Sequence, residues 1–78
     1  MYIKVKLYGT LRRFSLNETP GVWQGEIPEG ACVRDLIAIL GSSEAEVAAA
    51  ALNKEPCCLE DVIPDGAVVT LVTPVGGG

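Results

Sequence analysis

Histidine is absent from this 78-residue chain, and cysteine appears only three times, as Cys32, Cys57 and Cys58. Without imidazole, three thiols cannot complete a four-ligand zinc site, and they fall one short of an iron–sulfur cluster. Three cysteines cannot all pair within one chain. The adjacent Cys57 and Cys58 make a strained bridge, so the expectation is reduced thiols. Lys54 is the only cation near that pair in sequence, which leaves little to lower a thiol pKa, and no role is assigned to either cysteine. Basic residues are also scarce: 6 against 10 acidic ones, for a net charge of -4. That balance argues against nucleic acid as a partner and is compatible with docking onto a basic protein surface. No apolar run approaches the ~20 residues of a membrane span, and Met1 leads straight into an alternating strand rather than a signal peptide. The expected setting is cytoplasmic, away from membranes.

The hydrophobic share is 49%, enough for a real core in one small domain. In Tyr2–Tyr8, Ile3, Val5 and Leu7 alternate with Tyr2, Lys4, Lys6 and Tyr8, the pattern of a half-buried strand. Gly9-Thr10 breaks it. Leu11-Arg12-Arg13-Phe14 follows as a turn or one helical loop, with Leu11 and Phe14 as apolar anchors, and residues 17–21 read as loop. Residues 22–27 read as a second strand in a hairpin with the first, ended by Pro28-Glu29-Gly30. Val33, Leu36, Ile37 and Leu40 fall on one helical face, and Gly41 supplies a stop. Cys32 stands where Ser or Thr would cap, so the cap is expected to be weak.

Residues 43–53 support two readings. Ser43-Glu44-Ala45-Glu46 has the form of a capping box, and the alanines after it favour helix. A short strand over 48–53, whose small side chains let a helix approach, fits equally. Leu59-Glu60-Asp61-Val62 reads as a turn or short helix. Pro64-Asp65-Gly66 is a strong turn signal, and residues 67–72 form a β-branched, buried strand.

That strand runs into Thr73-Pro74-Val75-Gly76-Gly77-Gly78. A glycine triplet has no side chains to bury and loses much backbone freedom on ordering. It is either a frayed end or cloning remnant, or a chemical handle whose reactive atom is the carboxylate of Gly78. As a handle it needs a leaving group, such as AMP from ATP, and access to another protein's closed site. Gly76 and Gly77 would thread a narrow channel there, and the five residues past Thr73 reach ~17 Å at full extension.

The order of elements resembles the ubiquitin-like β-grasp fold: α+β, a mixed four- to five-stranded sheet with one main helix packed across it. Specific segments resemble the molybdopterin synthase small subunits and the thiamine-type sulfur carriers. These are Tyr8-Gly9-Thr10-Leu11-Arg12-Arg13-Phe14, Val33-Arg34-Asp35-Leu36, Leu52-Asn53-Lys54, Pro64-Asp65-Gly66-Ala67-Val68-Val69 and the terminal glycines. The family ends in a glycine pair, where this chain has three. By this likeness residues 48–53 are taken as strand, with helix or turn around 43–47, and the chain divides into a β-grasp domain, 1–73, and a flexible tail, 74–78.

The resemblance implies a carrier rather than an enzyme. An adenylating, ubiquitin-activating-like enzyme would use ATP to activate Gly78. A cysteine desulfurase or rhodanese would supply sulfur, and the resulting thiocarboxylate would serve the molybdopterin synthase large subunit or another acceptor enzyme. No cofactor is expected on the chain itself; ATP belongs to the activating partner. Val72, Pro74 and Val75 would make an apolar partner site beside the tail, with Arg12 and Arg13 meeting acidic groups. Trp23 and the tyrosines are expected to pack, and Glu60 and Asp61 to be solvated turn residues. Thiamine, tRNA or cysteine synthesis as the destination, a covalent protein modifier, and a plain interaction domain with an inert tail stay open.

Overall fold

The computed structural model describes residues 1–15 and 21–74. Val75, Gly76, Gly77, Gly78 and most of the loop before Gly21 lie outside the described residues. Five strands form one mixed sheet: β1 (Tyr2–Leu7), β2 (Val22–Glu26), β3 (Ala49–Leu52), β4 (Glu55–Cys57) and β5 (Val68–Val72), in the spatial order β2-β1-β5-β3-β4. Helix α1 (Val33–Leu40) follows β2, and short 3₁₀ turns occupy Gly9–Phe14 and Glu44–Glu46. The last strand is therefore central. It runs parallel to β1, with Lys6 opposite Thr70 and Leu7 opposite Leu71, and antiparallel to β3, with Ala50 opposite Leu71.

Alternation places Ile3, Val5 and Leu7 of β1 and Val69 and Leu71 of β5 on the inner face, all buried. The helical stripe Val33, Leu36, Ile37 and Leu40 closes the same core, joined by Leu11 and Ile63. Each large aliphatic side chain removed from water contributes roughly 1.5–3 kcal/mol, which is how so short a chain offsets its ordering entropy. Trp23 packs against the core edge, and Gly25 makes room for it: a Cβ at Gly25 would approach its ring to 2.7 Å. The tyrosines depart from expectation, because Tyr2 and Tyr8 both stand on the outward side and are exposed.

Two local features were not legible from the chain, the partners that complete the helix start and strand β4, whereas the stop at Gly41 was. The weak cap at Cys32 is remedied by Asp35, whose carboxylate accepts the Cys32 amide at 3.1 Å. The next amides, of Val33 and Arg34, donate to the carbonyls of Asp61 and Leu59, so the loop after β4 completes the helix start. At the other end Gly41 is left-handed (φ 89°), and Ser42 N–H reaches back to Ile37, as a helix stop requires. Strand β4 was unforeseen. It is three residues long and contains Pro56, tolerated because β4 is a sheet edge and needs no donor outward. Its hairpin with β3 turns through Asn53 and Lys54 alone, both at positive φ (51° and 72°), and the Asn53 side chain accepts the Val68 amide at 2.9 Å.

The ambiguous stretch resolves as expected from the likeness: a 3₁₀ turn at Glu44–Glu46, then strand at Ala49–Leu52. Pairing with β5 outweighs the local helical propensity of alanine. Leu36 is fully buried beneath the sheet. Leu36→Ala is expected to cost about 2–5 kcal/mol, read as a lower urea midpoint with an unchanged slope.

Candidate functional site

The candidate site is the place where β5 ends and the tail begins. Its backbone is held from both sides. The Tyr8 amide donates to the Leu71 carbonyl at 3.2 Å, and the Ala48 amide donates to the Val72 carbonyl at 2.7 Å. Thr73 is half-buried against Gly9, which has a φ of 64°, and a Cβ there would overlap the Thr73 hydroxyl. Gly9 thus serves twice: it turns the chain into the first 3₁₀ turn, and it lets the tail root lie against that turn. Beyond this clamp Pro74 is exposed.

Of the residues expected to meet a partner, Val72 faces outward and is half-buried, as the burial of Val69 and Leu71 requires. Val75, Gly76, Gly77 and Gly78 lie outside the described residues. The two arginines, alike in sequence, are separated by the fold. Arg13 bonds the Thr10 carbonyl, pairs with Glu46 and lies over the Phe14 ring at 4.3 Å. It joins the two 3₁₀ turns, a structural use of its charge. Arg12 is exposed and lines an open hollow of about 320 Å³ with Lys6, Leu7, Tyr8, Gly21 and Val22, beside the tail root. Glu46, 33 residues along the chain from Arg13, gave no local signal of this pairing.

The other polar groups support the fold. Glu60 pairs with Arg34 at 2.7 Å, and Asp61 accepts the Cys58 amide at 2.8 Å. All three cysteines are free thiols. Burial, with help from Asp61 and Cys58, pushes the Cys57 thiol up, so it stays protonated and unreactive near neutrality. The Cys32 thiol donates to Asp35 at 3.4 Å. Among the described residues no group of three His, Cys, Asp or Glu could hold a metal ion. No helix there is long and apolar enough to cross a membrane.

A protein-family model described as the ThiS family matches residues 5–78. No individual curated protein matches the chain. Among solved structures, SAMP1 from Haloferax volcanii aligns over 100% of both chains at 21% identity and a TM-score of 0.70, a likeness of fold alone. A putative molybdopterin converting factor subunit 1 from Pyrococcus furiosus is 27% identical, covering 96% of this chain and 99% of its own, with a TM-score of 0.69. One chain of the complex of subunits 1 and 2 of molybdopterin-converting factor from Helicobacter pylori 26695 matches at 26% identity, covering 100% of this chain and 100% of its own, with a TM-score of 0.63. The fold is the ubiquitin-like β-grasp that the element order implied.

Two outcomes test the clamp. Gly9→Ala introduces both a left-handed alanine and a collision with Thr73, so a loss of stability above the ~1–2 kcal/mol of the backbone term is expected. Adding Thr73→Ala should recover the excess but not the backbone part, measured as a double-mutant cycle in urea. The Glu46 carboxyl is held at about 2, against an ordinary 4.5, by its hydrogen bonds from Arg13 and Ser42 and the charge of Arg13. The unfolded chain therefore binds the extra proton between these values, and the stabilisation present above the window is lost as pH falls through it. Glu46→Gln should show a smaller drop in urea midpoint between about pH 5 and about pH 3 than the parent chain.

Proposed function

The chain belongs to the ThiS family, and from that membership we propose that it is a sulfur carrier whose working atom is the carboxylate of Gly78. The observation that carries this reading is that the family match runs through residue 78, beyond a strand fixed at the centre of the sheet. The reaction sequence is as follows. A carboxylate oxygen of Gly78 attacks the α-phosphorus of ATP in an adenylating enzyme, releasing pyrophosphate. A donor's persulfide sulfur attacks the acyl carbon and AMP leaves. A thiol then reduces the sulfur–sulfur bond to the donor, is itself oxidised to a disulfide, and leaves a thiocarboxylate on Gly78. The acceptor enzyme receives that sulfur.

The domain's contribution is delivery. Tethering raises the local concentration of the sulfur in the acceptor's site, and a fixed root limits where the end can go. Gly76 and Gly77 thread the channel, and Val72, Pro74, Val75 and Arg12 form the contact zone around the root. Arg13 is assigned to the fold instead. The two molybdopterin-converting-factor structures, at 27% and 26% identity, favour pterin sulfuration as the destination, with the large synthase subunit as acceptor.

Incubation with ATP, a persulfide donor, a thiol and the candidate adenylating enzyme should change the intact mass by one oxygen replaced with sulfur, mapped to Gly78. An unchanged mass with a proven active enzyme contradicts the carrier reading, and Gly78 recovered on lysines of other proteins turns it toward a covalent modifier. Deleting Gly77 and Gly78 should abolish the sulfur gain while moving unfolding free energy by no more than ~0.5 kcal/mol. Retained function after the deletion would mean an inert tail.

A further inference from the structure

The edge of an open sheet presents unpaired N–H and C=O groups, which template further strand pairing unless the edge is blunted. The two edge strands here are β4 and β2, and they differ. β4 is three residues long, and Pro56 takes a donor out of it. β2 is five residues long and contains no proline, and its one charge, Glu26, stands at its end.

The register shows which backbone groups β2 turns outward. The Leu7 amide donates to the Gly21 carbonyl at 2.7 Å, and the Ile27 amide donates to the Met1 carbonyl at 2.8 Å. Between these ends Val5 faces Trp23 and Ile3 faces Gly25. Hydrogen-bonded and non-hydrogen-bonded pairs alternate along an antiparallel ladder, so Trp23 and Gly25 bond to β1. Val22, Gln24 and Glu26 therefore turn their amides and carbonyls away from the sheet, where no described residue pairs with them. Side chains alternate as well. Trp23 and Gly25 share the face of Val5 and Ile3, and the half-buried Trp23 leans along its own strand over Gly25.

We propose that β2 pairs with β2 of a second copy of this chain, antiparallel about a two-fold axis at Gln24, so that one sheet runs through both copies. This register is self-complementary. Gln24 meets the partner's Gln24 and Val22 meets the partner's Glu26, each pair exchanging both N–H···O bonds. Trp23 meets the partner's Gly25 in the closely spaced kind of pair, where a second large side chain would crowd it. Both indoles lean toward the axis on strands ~4.8 Å apart, so each covers the other's open side. An axis at Trp23 would instead set indole against indole and leave Glu26 unpaired. On the opposite face Lys6 stands beside Val22, which places the partner's Glu26 in the row of Lys6. Within one copy Lys6 and Glu26 lie at opposite ends of the β1–β2 ladder. Pairing thus joins opposite charges that a single copy keeps apart, and sets no like charges directly opposite. β1 separates β5 from this edge, and the two β5 strands run in opposite directions, so the tail roots stay uncovered at opposite ends of the joined sheet. The proposal does not depend on the carrier reading.

The test measures the mass of the full-length chain by sedimentation equilibrium across concentration, with amide exchange on the same samples. Mass should rise from 8.2 kDa toward twice that value by ~1 mM, the weak end of specific association. The Gln24 amide should slow about tenfold as it does so. Gln24→Pro removes a donor that β1 does not use, so the variant should keep its unfolding midpoint and stay monomeric. The charge pair decides independently of that variant. Glu26→Lys should weaken association about threefold at low salt, and adding Lys6→Glu should restore it. Glu26→Lys also lowers the net negative charge, so general repulsion between copies predicts the opposite sign. A monomer at every concentration, a dimer that survives in folded Gln24→Pro, or a charge reversal without rescue would overturn the proposal. Slowed exchange along β4 or α1 in place of Gln24 would do the same. Gln24 protection that needs added adenylating enzyme, with the chain itself monomeric, would give the edge to another protein and overturn it as well.

Discussion

Everything in this fold depends on the pairing of its last strand between β1 and β3. A chain of this size would more simply leave its end on a sheet edge. Here β5 sits at the centre, and its alternate residues Val69 and Leu71 are wholly removed from water. Parallel pairing of the first and last strands requires a long crossover, and α1 with the β3–β4 hairpin supplies it. The result is a terminus that issues from the most constrained part of the molecule. Thr73, the root of the tail, thereby has a defined position.

The same arrangement explains what surrounds the root. Gly9 yields space to Thr73, and the two carbonyls before the tail are taken by Tyr8 and Ala48. The first 3₁₀ turn is in turn braced against the second by Arg13 and Glu46. The inward face of the sheet is closed by α1. Structure and charge are divided accordingly: Arg13 and Arg34 are consumed in ion pairs, and among the described residues the other four cations make none.

Much of the fold was legible because its signals are periodic. Ile3, Val5 and Leu7 announce a half-buried strand, and Val33, Leu36, Ile37 and Leu40 announce a helix lying on it. The strand at Ala49–Leu52 was legible only through likeness, since a run of alanines favours helix until β5 is present to pair with it. β4 escaped because three residues containing Pro56 carry no alternation, and the Asn53–Lys54 turn lacks the glycine that commonly marks such hairpins. At the site, Val72 followed from simple alternation. The difference between Arg12 and Arg13 did not, because it is decided by Glu46, remote in sequence and brought near only by the sheet.

The central claim is that the tail root is a rigid strut. Amide hydrogen exchange measures it most directly, residue by residue along β5. The account predicts that Val69, Leu71 and the neighbouring Val5 exchange only through global unfolding, with the same free energy as the whole domain. Exchange of β5 amides through a much cheaper local opening, while Val5 stays protected, would contradict it.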